Sequence, residues 1–431
     1  MTVQALTGFR DFYPDDCARR AYIFSVWRSV AARYGFEEYD GPPLESLELY
    51  TRKSGDEIVG QLYNFTDKGD RPVTLRPEMT PTLARMVAVR ANGLKKPIRW
   101  FSIPQLFRYE RTQKGRLREH FQFNCDLLGE AGALADAEIV AMAIDVMRAF
   151  GLQLTDVRVR LSDRRLLTAV LTSVGLPEAA HLAAYQLLDK LGRTEEQNAR
   201  RTLHDLGVDD ALIARILQVR EVRDLDSLDA IFPEAALSSA PLRQTLDALE
   251  ALGVADWIDL DLTIVRGLAY YTGTVFELFD AGRTLRAICG GGRYDGLLAA
   301  VGGVAMPALG FGMGDVVLGE LLKEKGLLPE APSSIDVFVA AVTPEDVPFV
   351  LRTARTLRDA GFRTEYALGA QALGKQFKLA DARSAKAVVV IGPDDRARGE
   401  VQVKHLAGEG QHAVPLADVA GRLAALLSAQ A

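Results

Sequence analysis

Strand-like sequence stands on both sides of a long helical stretch in this 431-residue chain, so one sheet has to be interrupted and then resumed. Apolar or alternating runs at Gln61–Phe65, Pro72–Leu75, Ile98–Leu106 and Phe121–Leu128 are separated by polar turns, a texture that predicts an antiparallel sheet. Helical spacing covers Asp15–Tyr34 and Ala133–Phe150, and VRVRL at Val157–Leu161 adds a strand. From there to about Leu252 the chain reads almost wholly helical, which marks residues 165–252 as an inserted module. Strand character returns at Leu262–Val265, Thr274–Phe279 and Thr284–Ile288, followed by a glycine-rich turn at Gly290–Gly292 and a helix from Met313. Two prolines and two serines in LLPEAPSS place a linker at 326–334. Beyond it, strand and helix alternate through IDVFVAAV, RTEYAL and KAVVVIG, predicting a small three-layer α/β domain over 335–431. The interrupted sheet and its helices then form an α+β domain over 1–325.

A net charge of −6 argues against a protein that coats nucleic acid indiscriminately, because that needs an extended basic surface. Any nucleic-acid partner has to dock on local patches. Cys17, Cys125 and Cys289 are far apart and lack metal or disulfide spacing, which suits a reducing compartment. The opening MTVQALTGFRDFYPDD has neither the charged start nor the apolar run of a secretory signal, and no stretch approaches the ~20 apolar residues of a membrane span. A cytoplasmic protein without membrane partners is expected.

The chemistry concentrates between Arg108 and Arg118, where Arg108, Arg111, Lys114, Arg116 and Arg118 stand against the single acid Glu110. Arginine holds two phosphate oxygens at once and keeps its charge, so the segment reads as a phosphate clamp, with a solvated arginine-rich hairpin as the plain alternative. Chemistry at a nucleotide's α-phosphate needs fixed cations and in-line positioning, and no general base when the nucleophile is already a carboxylate. That fits a chain with five histidines and no evident Ser/His/Asp arrangement.

The order FRYERTQKGRLREHFQFNCD resembles the second signature motif of class II aminoacyl-tRNA synthetases, and its details resemble the histidyl-tRNA synthetase family. The resemblance implies that Arg108 contacts the α-phosphate and the amino acid's carboxylate, Glu110 the adenine amino group, and Arg111 the terminal phosphate. It sets Gln113, Lys114, Arg116 and Arg118 toward the tRNA acceptor end, and either His120 or Phe121 over the adenine. In TLRPEMTPTLAR, Glu78 and Thr80 resemble the loop that receives the α-amino group, and a plain helix start is the alternative there. Gln122 and Asp126 match positions for the α-amino group and the imidazole. IVRGLAYYTG resembles the first histidine-specific motif, giving Arg266 a catalytic place at the α-phosphate beside Arg108, and Tyr270 and Tyr271 the pocket wall. Ala269 stands where the family commonly has an acid. CGGGRYDGL resembles the second such motif. PALGFGMGDVVLGEL aligns with the third class II motif but carries Val316 and Val317 in place of its Glu-Arg pair, and Asp315 reads as a helix-start carboxylate or a magnesium ligand.

The resemblance implies an antiparallel class II catalytic domain, a helical insertion and a C-terminal anticodon-binding domain in which Lys375, Lys378 and Arg383 form a candidate patch. It further implies ATP with Mg2+ and no tightly bound cofactor, histidine and tRNA(His) as partners, and a homodimer formed through Tyr34–Glu45. The metal ligands are not identified. The alternative is a catalytically silent histidine-binding paralogue, such as the regulatory subunit of ATP phosphoribosyltransferase.

Overall fold

A computed structural model of the chain describes residues 3–54, 56–189, 196–265, 271–329, 335–408 and 410–428. It divides into two compact units, Met1–Pro329 and Glu330–Ala431. In the first unit the strands are β1 Glu37–Glu38, β2 Leu44–Ser46, β3 Asn64–Thr66, β4 Pro72–Leu75, β5 Ile98–Ser102 and β6 Gln105–Phe107. They continue with β7 Glu119–Leu128, β8 Val157–Asp163, β9 Ile258–Leu260, β10 Thr274–Asp280, β11 Cys289–Arg293 and β12 Ala308–Gly314. The main sheet runs β1-β5-β7-β12-β11-β10-β8-β9, with β6 paired to β7, while β2, β4 and β3 form a small separate sheet. Its six central strands are antiparallel, and only the edge pairs β1/β5 and β8/β9 are parallel.

The helix Pro14–Arg33 buries Ile23, Trp27, Val30 and Ala31 at helical spacing against the sheet. Trp27 is completely buried and stacks on Phe123 of β7 with ring centroids 5.4 Å apart. The helix Ala133–Ala149 is buried along most of its length, because it lies between the sheet and the helical block. That block, from the helix Arg164–Ser173 to the helix Ala240–Ala251, builds no core of its own. Leu203, Ile216, Leu228 and Leu249 belong to the same apolar cluster as Trp27 and Phe123.

Three strand expectations are corrected. Leu262–Val265 forms no strand, and the edge strand is β9, pairing parallel to β8 just before it. Thr284–Ile288 also forms none, because its first amides bond to a carboxylate instead of a ladder: Thr284 N and Leu285 N both donate to Asp280 at 2.9 Å. Finally, Gly290–Gly292 is no turn but the middle of β11. A Cβ on Gly291 would stand 2.4 Å from the Gly310 carbonyl oxygen, so the glycines allow two strands to approach rather than a chain reversal.

One buried ion pair fastens β11 to the helix Ala133–Ala149. Arg293 grips Asp136 through Nε–Oδ1 at 3.1 Å and Nη2–Oδ2 at 2.8 Å, and its Nη1 donates to Glu130 O at 2.9 Å. Both side chains are almost wholly inaccessible, at 1% and 3%. Arg293→Ala leaves a buried carboxylate without its counter-charge and is expected to cost about 3–5 kcal/mol, whereas Arg293→Met with Asp136→Leu recovers most of the loss. Thermal unfolding of the two variants measures this, and equal losses in both would contradict it.

In the second unit, β13 Val337–Ala341, β14 Thr364–Tyr366, β15 Ala387–Ile391, β16 Glu400–His405 and β17 Gln411–Pro415 form one sheet in the order β14-β13-β15-β16-β17. The first three are parallel and the last two antiparallel. Helices Val347–Asp359, Leu373–Ala382 and Val419–Ser428 cover the sheet. No helix among the described residues is long and apolar enough to cross a membrane.

Candidate active site

Strand β7 builds the floor of the site by alternation. His120, Gln122, Asn124 and Asp126 line cavities on one face. Phe123, Cys125 and Leu127 go into the apolar core on the other. Across from them β12 offers Gly310, Gly312 and Gly314, in register with Asp126, Asn124 and Gln122. These glycines are needed for space: a Cβ at Gly310 would lie 2.3 Å from Asp126 Oδ1, and one at Gly312 would lie 2.5 Å from Gln122 Nε2. The alternation GxGxG in the third motif therefore clears room for the polar side chains of the second.

Two adjoining cavities result, sharing Arg108, Arg116, Gln122, Gly290 and Gly312. Into the first project Glu110, His120, Arg286, Val316 and Val317. The second is lined by Glu78, Thr80, Asn124, Asp126, Tyr271 and Tyr294. Arg108 is fixed at the boundary, its Nε donating to Pro77 O at 2.9 Å and its backbone N–H to Arg118 O at 2.9 Å. The first of these bonds ties the arginine-rich hairpin to the Glu78–Thr80 turn, where the helix Thr80–Arg90 begins.

Asp126 is the most unusual group in the second cavity. It is buried, its Oδ1 accepts a hydrogen bond from the Tyr294 hydroxyl, and its Oδ2 has no partner. Burial pushes the carboxyl up to about 7, against the opposing pull of the Tyr294 bond. A buried carboxylate oxygen facing a cavity suits a ligand that brings its own N–H donor. In the first cavity, burial and then the charges of Arg108 and Arg10 hold the His120 imidazole down to about 3, so the ring is neutral at pH 7.

The expectation that either His120 or Phe121 forms a platform is narrowed by the strand's alternation. Phe121 turns away from the cavities and packs among Phe12, Phe24 and the Arg20 guanidinium, with the Phe24 ring 5.2 Å away. Within the basic loop, Arg116 pairs with Glu110 at 2.5 Å, and Gln113 accepts from Arg286 Nη2 at 3.0 Å. Arg118 lies over the Tyr109 ring at 4.3 Å, so its guanidinium is engaged within its own hairpin. Arg111 and Lys114 are exposed and line neither cavity. Arg266 and Tyr270 lie outside the described residues.

Three contributors escaped the sequence reading. Tyr294 sits inside the quoted RYDGL, but nothing in its spacing points to Asp126. Arg10 joins the site's supports from the opening turn: it binds Glu119 at 2.6 Å and Asp315 at 2.9 Å. Asp315 starts the helix Asp315–Glu324 and also accepts Phe121 N at 2.9 Å, so its oxygens are committed to the protein rather than to a metal. Among the described residues no group of three His, Cys, Asp or Glu is placed to hold a metal ion. The third is Arg286, in the loop between β10 and β11.

Comparison with known proteins agrees with this geometry. Residues 8–314 match the family model described as histidyl-tRNA synthetase, and residues 336–426 match the model of an anticodon binding domain. The chain is 45% identical over 420 residues to the histidine-tRNA ligase of Opitutus terrae, covering 96% of each. It is 40% identical over 412 residues to the chloroplastic/mitochondrial histidine-tRNA ligase of Arabidopsis thaliana, covering 96% of this chain and 85% of that one. The crystal structure of histidyl-tRNA synthetase from Nostoc sp. PCC 7120 superposes with a TM-score of 0.83 at 26% identity, over 98% of this chain and 99% of that one. On the strength of the matched model and of relatives that run nearly end to end with it, this chain belongs to the histidyl-tRNA synthetase family.

Proposed function

We propose that the chain is a histidine-tRNA ligase, which joins histidine to ATP as histidyl-adenylate with release of pyrophosphate and then transfers the histidyl group to the 3′ end of tRNA(His). The observation that carries this reading is a pair of adjoining cavities that share Arg108, one lined by further arginines and the other by an incompletely satisfied buried carboxylate. In the second, Glu78, Thr80 and Gln122 receive the α-amino group, Asp126 takes the imidazole, and Tyr271 closes a wall. In the first, His120 supplies a neutral ring for the adenine and Glu110 accepts its amino group, while Arg111, exposed outside both cavities, would have to swing in to reach the terminal phosphate.

The substrate carboxylate is then the nucleophile, Arg108 holds it against the α-phosphate, and Arg266 is the second cation there. No general base is required, because the attacking oxygen is already charged; the contribution of the protein is position and fixed positive charge. ATP enters as its magnesium complex, the metal carried largely by the phosphates. Gln113, Lys114, Arg116 and Arg118 line the approach of the tRNA acceptor end.

The domains we infer are a catalytic domain over 1–325, interrupted by the helical insertion 165–252, a linker at 326–334, and an anticodon-binding domain over 335–431. We place the protein in the cytoplasm as a homodimer that uses Tyr34–Glu45; sedimentation at the mass of one chain would contradict the dimer. The silent histidine-binding paralogue is not favoured, because the basic loop and the anticodon-binding unit are both present. Charging of a tRNA(His) transcript with radiolabelled histidine tests the full reaction. Ester formation on that tRNA supports the reading, and its absence with active ATP and intact tRNA counts against it.

A further inference from the structure

The end of the first cavity away from Asp126 poses a charge problem. A triphosphate lying there meets Val316 and Val317, the side chains that the helix Asp315–Glu324 presents to it. Of the cations on the opposite wall, Arg108 is anchored to Pro77 O at the boundary and Arg116 is paired with Glu110. Polyanions are bound by arginine forks because each fork holds two phosphate oxygens and its charge cannot titrate away.

We infer that Arg286 binds the β- and γ-phosphates of ATP and supplies the positive charge that the valine pair does not. Arg286 lines the same cavity from a different segment, the loop between β10 and β11. Its position next to the valines is fixed by one geometric fact: a Cβ built on Gly115 would lie 3.3 Å from Val317 Cγ2, 3.8 Å from Arg286 Cδ and 4.0 Å from Glu320 Oε2, so a carboxylate of the same helix stands at this end of the cavity too. The guanidinium is oriented by a hydrogen bond from Nη2 to the Gln113 amide oxygen at 3.0 Å. The loop itself is anchored where Asp280 accepts the amides of Thr284 and Leu285. Arg286 is thus an exposed side chain on a fastened loop, reaching over the cavity beside the tip of the arginine-rich hairpin, whose Gln113 it binds.

This inference rests on the proposed ligase activity, and the test separates the two. In histidine-dependent ATP–pyrophosphate exchange, Arg286→Ala is expected to raise the KM for ATP about 10- to 100-fold, the range of a lost charge-assisted contact. The KM for histidine should be unchanged. Binding of a non-hydrolysable histidyl-adenylate analogue, which lacks the β- and γ-phosphates, should also be unchanged, a split that a merely structural role would not produce. Arg286→Lys should retain part of the affinity as a point charge, and Arg286→Ala with Val317→Arg should recover much of it. An unchanged KM for ATP would overturn the inference, as would equal loss of the adenylate analogue. Intact exchange with slowed tRNA charging would also overturn it, moving Arg286 to the tRNA acceptor end. Absence of exchange in the unmodified protein would overturn the ligase reading and this inference with it.

Discussion

Asp126→Asn is expected to lower kcat/KM for histidine by about a hundred- to a thousandfold while leaving the free protein no less stable. The two effects have one cause. The carboxylate is buried with Oδ2 unpartnered, and its pKa is raised to about 7 by burial. Above pH 7 the charged form is held in place at a cost on the order of 4 kcal/mol, which an imidazole N–H from the ligand offsets. Asparagine keeps an acceptor for the Tyr294 hydroxyl but carries no charge to meet that ligand. Because the folded-state pKa lies above the ordinary carboxylate value, the native protein holds a proton between about pH 4 and 7 that the unfolded chain has released. The contribution of this group to stability therefore falls as pH rises through that window. The melting temperature of the Asn variant relative to the unmodified protein should increase from pH 5 to pH 8, and added histidine should raise the melting temperature of the unmodified protein alone. A variant that binds histidine normally, or whose relative stability falls with rising pH, would refute the role.

Arg108→Ala is expected to slow adenylate formation by about a thousandfold or more, the scale at which a fixed donor on developing phosphate charge contributes. Arg108 is the cation at the boundary of the two cavities, with Nε committed to the Pro77 carbonyl. Its loss removes charge from the reacting phosphate and also loosens the Glu78–Thr80 turn, so the KM for histidine should rise together with the fall in rate. Lysine at this position offers a point charge without the fork and should rescue little. Rapid-quench measurement of adenylate with enzyme in excess reads the step directly. A rate within a few-fold of the unmodified protein would remove Arg108 from the chemistry.

The parts of this site that were legible in the sequence are those carried by short-range periodicity. His120, Gln122 and Asp126 share a face because β7 has a two-residue repeat, and the cation cluster is contiguous. Pairings across the fold were not legible. Tyr294 meets Asp126 from 168 residues away and Arg10 meets Asp315 from 305 residues away, contacts that only the folded topology creates. The β11 glycines read as a turn because glycine breaks strands in general, whereas here it lets β11 lie against β12. Arg286 carried no signal, being one of two arginines in an irregular loop, with nothing in the spacing to separate it from Arg283. In the second unit Val401 and Val403 of β16 alternate with polar residues, but its partner β17 buries Val414 alone, too short a pattern to mark a hairpin in the sequence.

The central claim is that these cavities activate histidine, and ATP–pyrophosphate exchange without tRNA, each amino acid supplied separately, tests it most directly. Exchange with histidine alone is the predicted result, with Val316 and Val317 tolerated in the third motif. No exchange with any amino acid, alongside histidine binding measurable by calorimetry, would contradict the account and make the protein a histidine-binding paralogue without synthetase chemistry.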